Sequence, residues 1–170
     1  GDEQALLRAA KTETDLQLRK KAIESIGVFG GKEASRILVD LYQTYTTRNH
    51  LDIGVGTGYF LDKCELDKDE LAFNTRLALM DLNPNSLATA AKRLDRFQPE
   101  TYQANILEPL TESIAQPIPK FSSISANYLL HCLPGSIYDK SMVFNNIASL
   151  LQPRGHVFGA TLLGKDQPMS

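Results

Sequence analysis

Three glycines at alternate positions, Gly54, Gly56 and Gly58, close a short apolar run that begins at His50. The stretch reads His50-Leu-Asp-Ile-Gly-Val-Gly-Thr-Gly-Tyr-Phe60, with Asp52 just ahead of the first glycine. A strand that feeds such a turn brings bare backbone close to a ligand, because glycine has no side chain in the way and tolerates positive φ. The helix that follows opens with N–H groups aimed at the same place. The pattern points to a nucleotide-like cofactor held where a strand turns into a helix.

The rest of the chain supplies the sheet that such a turn needs. Predicted strands fall at 50–54, 77–82, 101–106, 121–129 and 156–163. Between them run helical patterns. Asn83-Pro84 opens one, with Pro at its first position and Leu87, Ala90, Ala91, Leu94 and Phe97 on its buried stripe. Val143, Ile147, Leu150 and Leu151 mark another, stopped by Pro153, and Arg154-Gly155 turns the chain into the fifth strand. Strands separated by helices make right-handed parallel βαβ units with helices on both faces. The expected fold is α/β: a parallel sheet of about five strands flanked by helices.

Before residue 46 everything reads helical. Thr14-Asp-Leu-Gln17 fits a capping box, Leu18, Ala22, Ile23 and Ile26 follow helical spacing, and Gly27 and Gly30-Gly31 end that helix. Ala34, Ile37, Leu38, Leu41, Tyr42 and Tyr45 form the stripe of the next. Such a pair is an αα-hairpin. Asp15-Leu-Gln-Leu-Arg-Lys-Lys-Ala-Ile-Glu-Ser-Ile-Gly27 followed by Gly31-Lys-Glu-Ala-Ser-Arg-Ile-Leu-Val-Asp-Leu41 resembles a HEAT-type helical repeat. The other reading is an ordinary helical cap. A lone repeat cannot bury its own face, so these helices dock on something, most simply the domain that follows. The expected division is 1–46 for the helical segment and 47–170 for the cofactor domain.

Of the 170 residues, 42% are hydrophobic, enough for a core, and the net charge of −2 gives no basic field of the kind that nucleic acid attracts. Cys64 and Cys132 lack metal-ligand spacing and read as free thiols of a reducing cytoplasm, with Cys132 as buried filler. No apolar run approaches the roughly 20 residues that cross a bilayer.

A P-loop needs a Gly-Lys-Ser/Thr ending, and the nearest match, Gly31-Lys32-Glu33, fails. A dinucleotide fingerprint needs Gly or Ala at its sixth position, where this chain has Tyr59. The third reading is S-adenosylmethionine. Residues 48–164 resemble the class I S-adenosylmethionine-dependent methyltransferases through five segments in order. They are the glycine motif, then Leu79-Met-Asp-Leu-Asn-Pro-Asn-Ser-Leu87, Tyr102-Gln-Ala-Asn-Ile-Leu-Glu-Pro-Leu110, Ser122-Ser-Ile-Ser-Ala-Asn-Tyr-Leu-Leu-His-Cys-Leu-Pro-Gly135 and Leu150-Leu-Gln-Pro-Arg-Gly-His-Val-Phe-Gly-Ala-Thr161.

The resemblance implies a Rossmann-like sheet in the order 3-2-1-4-5 and a role for each matching position. Asp81 accepts both ribose hydroxyls, Gly54, Gly56 and Gly58 carry the amino-acid tail, and Leu82 packs on the adenine. Asp52 orients the loop or accepts from the cofactor ammonium. Asn105 stands where the family usually has an acid that accepts from the adenine amino group; an amide accepts there without charge assistance. Asn127-Tyr128 ends strand four, beside the transferred methyl. His131 is the best placed general base for a small-molecule acceptor that the sequence does not identify.

Class I sheets carry two further strands beyond the fifth, and this chain ends at Ser170. The expectation is therefore a truncated domain that binds its cofactor better than it turns over. Val157, Phe158, Ala160, Leu162 and Leu163 then need cover, from the N-terminal helices or from a homodimer through the helical segment or the strand-five edge. The junction near residue 46 reads as a recombination of unrelated pieces. That leaves a non-catalytic chimeric or designed scaffold as the alternative function, and a nicotinamide-dependent oxidoreductase as the weaker enzymatic rival.

Overall fold

A computed structural model of the chain describes residues 32–64, 66, 75–110 and 117–161. Five parallel strands form one sheet: β1 (Asn49–Ile53), β2 (Arg76–Asp81), β3 (Glu100–Gln103), β4 (Phe121–Ser125) and β5 (Leu151–Phe158). Their order is 3-2-1-4-5, as the family resemblance implies. The helices are α1 (Lys32–Tyr45), α2 (Tyr59–Lys63), α3 (Pro84–Arg93) and α4 (Ile137–Leu150), with a 3-10 turn at Asp95–Phe97. The first helix of the expected hairpin, with its capping box at 14–17 and most of the HEAT-like segment, lies outside the described residues, as do Leu162 and Leu163.

Alternation along β1 assigns its side chains to two layers. Leu51 and Ile53 join Ala78, Met80 and Ile124 in a cluster closed by Val143, Ile147 and Leu150 of α4. On the other face Leu77, Leu79 and Phe158 meet Leu61 of α2, Leu87 and Ala90 of α3, and Tyr42 of α1. A sheet covered on both faces favours continuous apolar strands. This one departs from that at His50, Asp52, Ser123 and Ser125, all buried.

Local signals place the helices. Asn83 caps α3 by accepting from Asn85 N at 3.0 Å, with Pro84 in the first turn, as the sequence predicts. Ser136 and Asp139 form a reciprocal capping box at the start of α4. At the N-terminal end of the sheet Arg76 grips Glu100 through Nε and Nη2, at 2.8 and 2.7 Å, and its guanidinium lies 4.1 Å from the centre of the Phe121 ring. That clamp ties β2 to β3 through partners 24 residues apart, which nothing local in the sequence announces.

The largest departures from the sequence reading are in two strands. Strand β4 ends at Ser125, four residues short of Leu129. Strand β5 begins at Leu151, and the predicted Arg154-Gly155 turn is a bulge inside it. Phe121 pairs with Leu151 but Ser123 pairs with His156, so the β5 side carries the extra residues. Arg154 takes φ +65 there, and Pro153, which cannot donate to a ladder, fits such an irregularity.

Strand β5 is the edge of the described sheet, and α1 covers part of it. The Phe158 ring meets Tyr42 at 5.4 Å, Tyr45 at 5.8 Å and His50 at 5.7 Å between centroids. His156 Nε2 lies 2.6 Å from Tyr45 O. Val157 stays 39% exposed on the opposite side. Truncating Phe158→Ala removes the ring that both α1 tyrosines rest on. We expect it to cost about 3–5 kcal/mol in urea unfolding; a loss below about 1 kcal/mol would mean that α1 docks elsewhere.

Candidate functional site

The loop from β1 to α2 uses positive φ at all three glycines: +70 at Gly54, +54 at Gly56 and +69 at Gly58. Two of them are also hemmed in. A Cβ at Gly54 would lie 2.9 Å from Leu129 Cδ1, and one at Gly58 would press on Ala90 and Leu94 of the next unit. Gly56 differs, since a Cβ there would meet nothing within 4 Å. So Gly54 and Gly58 lock the loop, and Gly56 turns its bare face to open space.

The glycine N–H groups are spent inside the protein. Gly54 N donates to Met80 O at 2.8 Å, Gly58 N to Val55 O at 3.0 Å and Gly56 N to Asp81 Oδ2 at 3.1 Å. A phosphate-cradling loop would leave such donors free; the N–H groups that open α2, beyond Gly58, are a separate set. Asp81 ends β2, and its other oxygen accepts from Asn83 N at 2.9 Å. The carboxylate is thereby fixed between two loops, with lone pairs still available on each oxygen. Leu82 beside it is 61% exposed, an apolar side chain left open next to a carboxylate. Ala104 N donates to Asp81 O, which brings Asn105 to the same end of the sheet as Leu82.

Asp52 lies beneath the loop. It is 2% exposed, and its Oδ1 accepts from Tyr42 Oη at 2.9 Å and from Ser125 Oγ at 2.6 Å. Both of these bonds tie the carboxyl to the elements beside the loop. Burial pushes its carboxyl up to about 7. Because Ser125 gives its hydrogen to Asp52, His50 Nε2 must donate to Ser125 Oγ, 3.0 Å away. His50 Nδ1 then accepts from Ser123 Oγ at 2.7 Å, and Ser123 in turn accepts from Thr47 N at 2.9 Å. Burial holds the His50 imidazole neutral, with its pKa lowered to about 3. Five side chains and one backbone amide thus form a single directed chain between α1, β1 and β4.

Other predicted residues gather at the C-terminal ends of β1 and β4. Asn127 is buried; its Oδ1 accepts from Ala160 N at 3.0 Å. Its Nδ2 lies on the Tyr42 side but makes no hydrogen bond of good geometry among the described residues. Tyr128 is held at φ +55 with its N donating to Ala160 O at 2.7 Å, a strained geometry for a bulky residue. Its ring meets Phe60 at 6.4 Å and His131 at 5.8 Å. His131 is exposed, with Nδ1 3.4 Å from Thr161 Oγ1. Cys132 is exposed and not the buried filler expected. Cys64 is buried, with burial raising its thiol to about 12, which makes it inert.

Asn105 is half-buried and committed at both ends. Its Oδ1 accepts from Leu107 N at 3.1 Å, and its Nδ2 donates to Glu108 Oε1 at 2.8 Å. Sequence reasoning placed Tyr128 beside Asn127 at the end of strand four but passed over Tyr42, Ser125 and Glu108; of these Tyr42 carried a signal, as a polar-tipped member of the α1 stripe. Among the described residues, no group of three or more His, Cys, Asp or Glu is arranged for a metal, and no helix is long and apolar enough to cross a membrane.

Asp52 and His50 pull the pH dependence of folding in opposite directions. A carboxyl raised to about 7 keeps a proton that the unfolded chain loses near pH 4, so its stabilising contribution declines as pH rises from about 4 to about 7. An imidazole lowered to about 3 refuses the proton that the unfolded chain binds below 6.5, so its contribution grows as pH rises from about 3 to 6.5. Asp52→Asn removes the first slope alone. We expect the stability of that variant relative to the parent to rise by about 1.4 kcal/mol per pH unit between about pH 4 and pH 7. Parallel pH profiles in urea unfolding would contradict it.

Residues 51–157 match the family described as Methyltransferase domain. The chain is 44% identical over 131 residues to demethylluteothin O-methyltransferase of Streptomyces thioluteus, covering 76% of this chain and 53% of that protein. It is 38% identical over 135 residues to N-methyltransferase vrtF of Penicillium aethiopicum, covering 79% and 52%. The chain spans about half the length of the curated relatives it matches. Residues 47–170 cannot supply 79% of the chain, so that match crosses residue 46 into α1. A seam between unrelated parents has no support there. Among solved structures it resembles the SAM-bound CalS10, an amino pentose methyltransferase from Micromonospora echinaspora, with a TM-score of 0.56 at 16% identity, over 83% of this chain and 55% of that one. That likeness shows the fold.

Proposed function

The chain belongs to the methyltransferase domain family, and from that premise we propose that it binds S-adenosylmethionine at the Gly56–Asp81 cleft for methyl transfer to a small-molecule hydroxyl. The observation that carries the reading is the pairing of Gly56, open on its ligand side, with a carboxylate fixed by the same loop. The nicotinamide rival is disfavoured by Tyr59 at the sixth position of its glycine pattern.

The residues present fit this cofactor. Asp81 has lone pairs for the two ribose hydroxyls, Leu82 offers an apolar face for the base, and Gly56 leaves room for the tail. The buried, unpartnered Nδ2 of Asn127 is a donor suited to the tail carboxylate. When bound, S-adenosylmethionine supplies an electrophilic methyl on a sulfonium. Tyr128 and Phe60 present aromatic faces at the same end of the sheet, where an acceptor would be held in line. A hydroxyl acceptor must also lose a proton. His131 can take it on Nε2 in the tautomer that carries hydrogen on Nδ1 and donates to Thr161 Oγ1.

Nitrogen is the second acceptor reading, because one similar protein is an N-methyltransferase. A neutral amine attacks without a base and releases its proton afterwards, so it would not depend on His131. Homodimerisation through α1 or the β5 edge is part of the proposal, the second as cover for Val157, and is read by light scattering.

Calorimetric titration with S-adenosylhomocysteine tests the cofactor reading. Gly56→Ala should cost about 1–2 kcal/mol of stability for its left-handed φ, yet abolish measurable binding by filling the open face. Asp81→Asn should lower affinity about tenfold or more, as charge-assisted bonds to the ribose are lost. Binding by both variants at the parent's affinity would refute the site.

A further inference from the structure

Resting on that cofactor reading, we propose that Glu108, and not Asn105, is the residue that selects an adenine-type base by accepting from its exocyclic amine. The orientation of the Asn105 amide follows from its neighbours. Leu107 N is a donor, so the atom facing it at 3.1 Å must be the amide oxygen. Nδ2 is then the atom that faces Glu108 Oε1 at 2.8 Å. One lone pair of the amide oxygen is used and the other can accept only as a neutral amide, without charge assistance, while the nitrogen offers the ligand only a further donor. A 6-amino purine brings donors to this rim, so a donor there is the wrong sign.

Glu108 has the right sign. Its Oε1 takes the Asn105 hydrogen, while Oε2 has no protein donor among the described residues. A carboxylate only accepts, and an exocyclic amine prefers to donate. The backbone under Glu108 is fixed from three directions. Glu108 N donates to Asn105 O at 3.0 Å, and Asn146 Nδ2 of α4 donates to Glu108 O at 3.1 Å and to Ile106 O at 2.7 Å. Asn105 is therefore a positioning residue: its Nδ2 holds the Glu108 carboxylate at the rim, at the same end of the sheet as the exposed Leu82. The pair would restore in two residues the charge-assisted acceptor that position 105 lacks. It would also reject a 6-oxo purine, whose carbonyl would face a carboxylate with no donor between them.

Calorimetry with two probes separates the possibilities without any methyl acceptor. The probes are S-adenosylhomocysteine and its 6-oxo analogue S-inosylhomocysteine, titrated into the parent chain, Glu108→Gln and Asn105→Asp. Glu108 is exposed, so its variant should keep the parent's thermal melting point. We expect the parent to prefer the adenine form by about tenfold or more, and Glu108→Gln to lose about tenfold in affinity for it while binding the 6-oxo form no worse. Asn105→Asp sets a second carboxylate against Glu108 and should not tighten binding. Parent-like affinity and preference in Glu108→Gln would overturn the proposal, as would tighter adenine binding by Asn105→Asp. Failure of the parent to bind either probe would overturn the cofactor reading and this proposal together.

Discussion

The Asp52 carboxyl is the constraint on which the site depends. It sits in the central strand two residues before Gly54, buried to 2%, with donors arriving from α1 and from β4. A carboxyl so placed tolerates burial only while its hydrogen bonds hold. Tyr42 therefore does more than pack: its hydroxyl fixes the height of α1 over the sheet, and Ser125 fixes the register of β4 beside β1. The polar chain continues through His50 and Ser123 to Thr47, so the strand that ends in the glycine loop is held along most of its length. A parallel sheet could have used Val or Ile at these positions. The polar set instead ties three elements to one geometry at the place where the ligand loop begins.

From that anchor the site assembles outward. Gly54 folds back on Met80 and leaves no room for a side chain against Leu129. Gly56 closes onto Asp81, which in turn receives Asn83 and starts α3. Ala104 bonds to Asp81 O and delivers the Asn105–Glu108 turn. Each step is a short hydrogen bond between neighbouring loops at one end of the sheet, where ligands bind in open parallel sheets.

Much of this was legible in the chain. Glycines at 54, 56 and 58 announce positive φ because few other residues accept it, and Asn83-Pro84 announces a helix start because both residues have one mechanism there. Alternation and handedness gave parallel βαβ units, and the strand order came with the family resemblance. Less legible were the contacts whose partners lie far apart in sequence. Nothing local marks Tyr42 as the donor to Asp52, since a tyrosine on an apolar stripe reads as core. The Asn105 amide was read as an acceptor for the ligand because its competing partners, Leu107 N and Glu108, appear only once the turn is built. The bulge in β5 was read as a turn because Pro153, Arg154 and Gly155 carry turn chemistry whether or not pairing resumes at once. Position 132 misled for a similar reason: a cysteine's usual burial says nothing of a loop that the fold turns outward.

The central claim is that one cleft, bounded by Gly56, Asp81, Leu82 and the 105–108 turn, receives the cofactor. Amide chemical shifts of the 15N-labelled chain during titration with S-adenosylhomocysteine test it most directly. The account predicts saturable shifts centred on Gly56, Asp81, Leu82 and Asn105, with the β5 edge at Val157 unmoved. Saturable shifts confined to α4 and β5, or none at millimolar ligand, would contradict it.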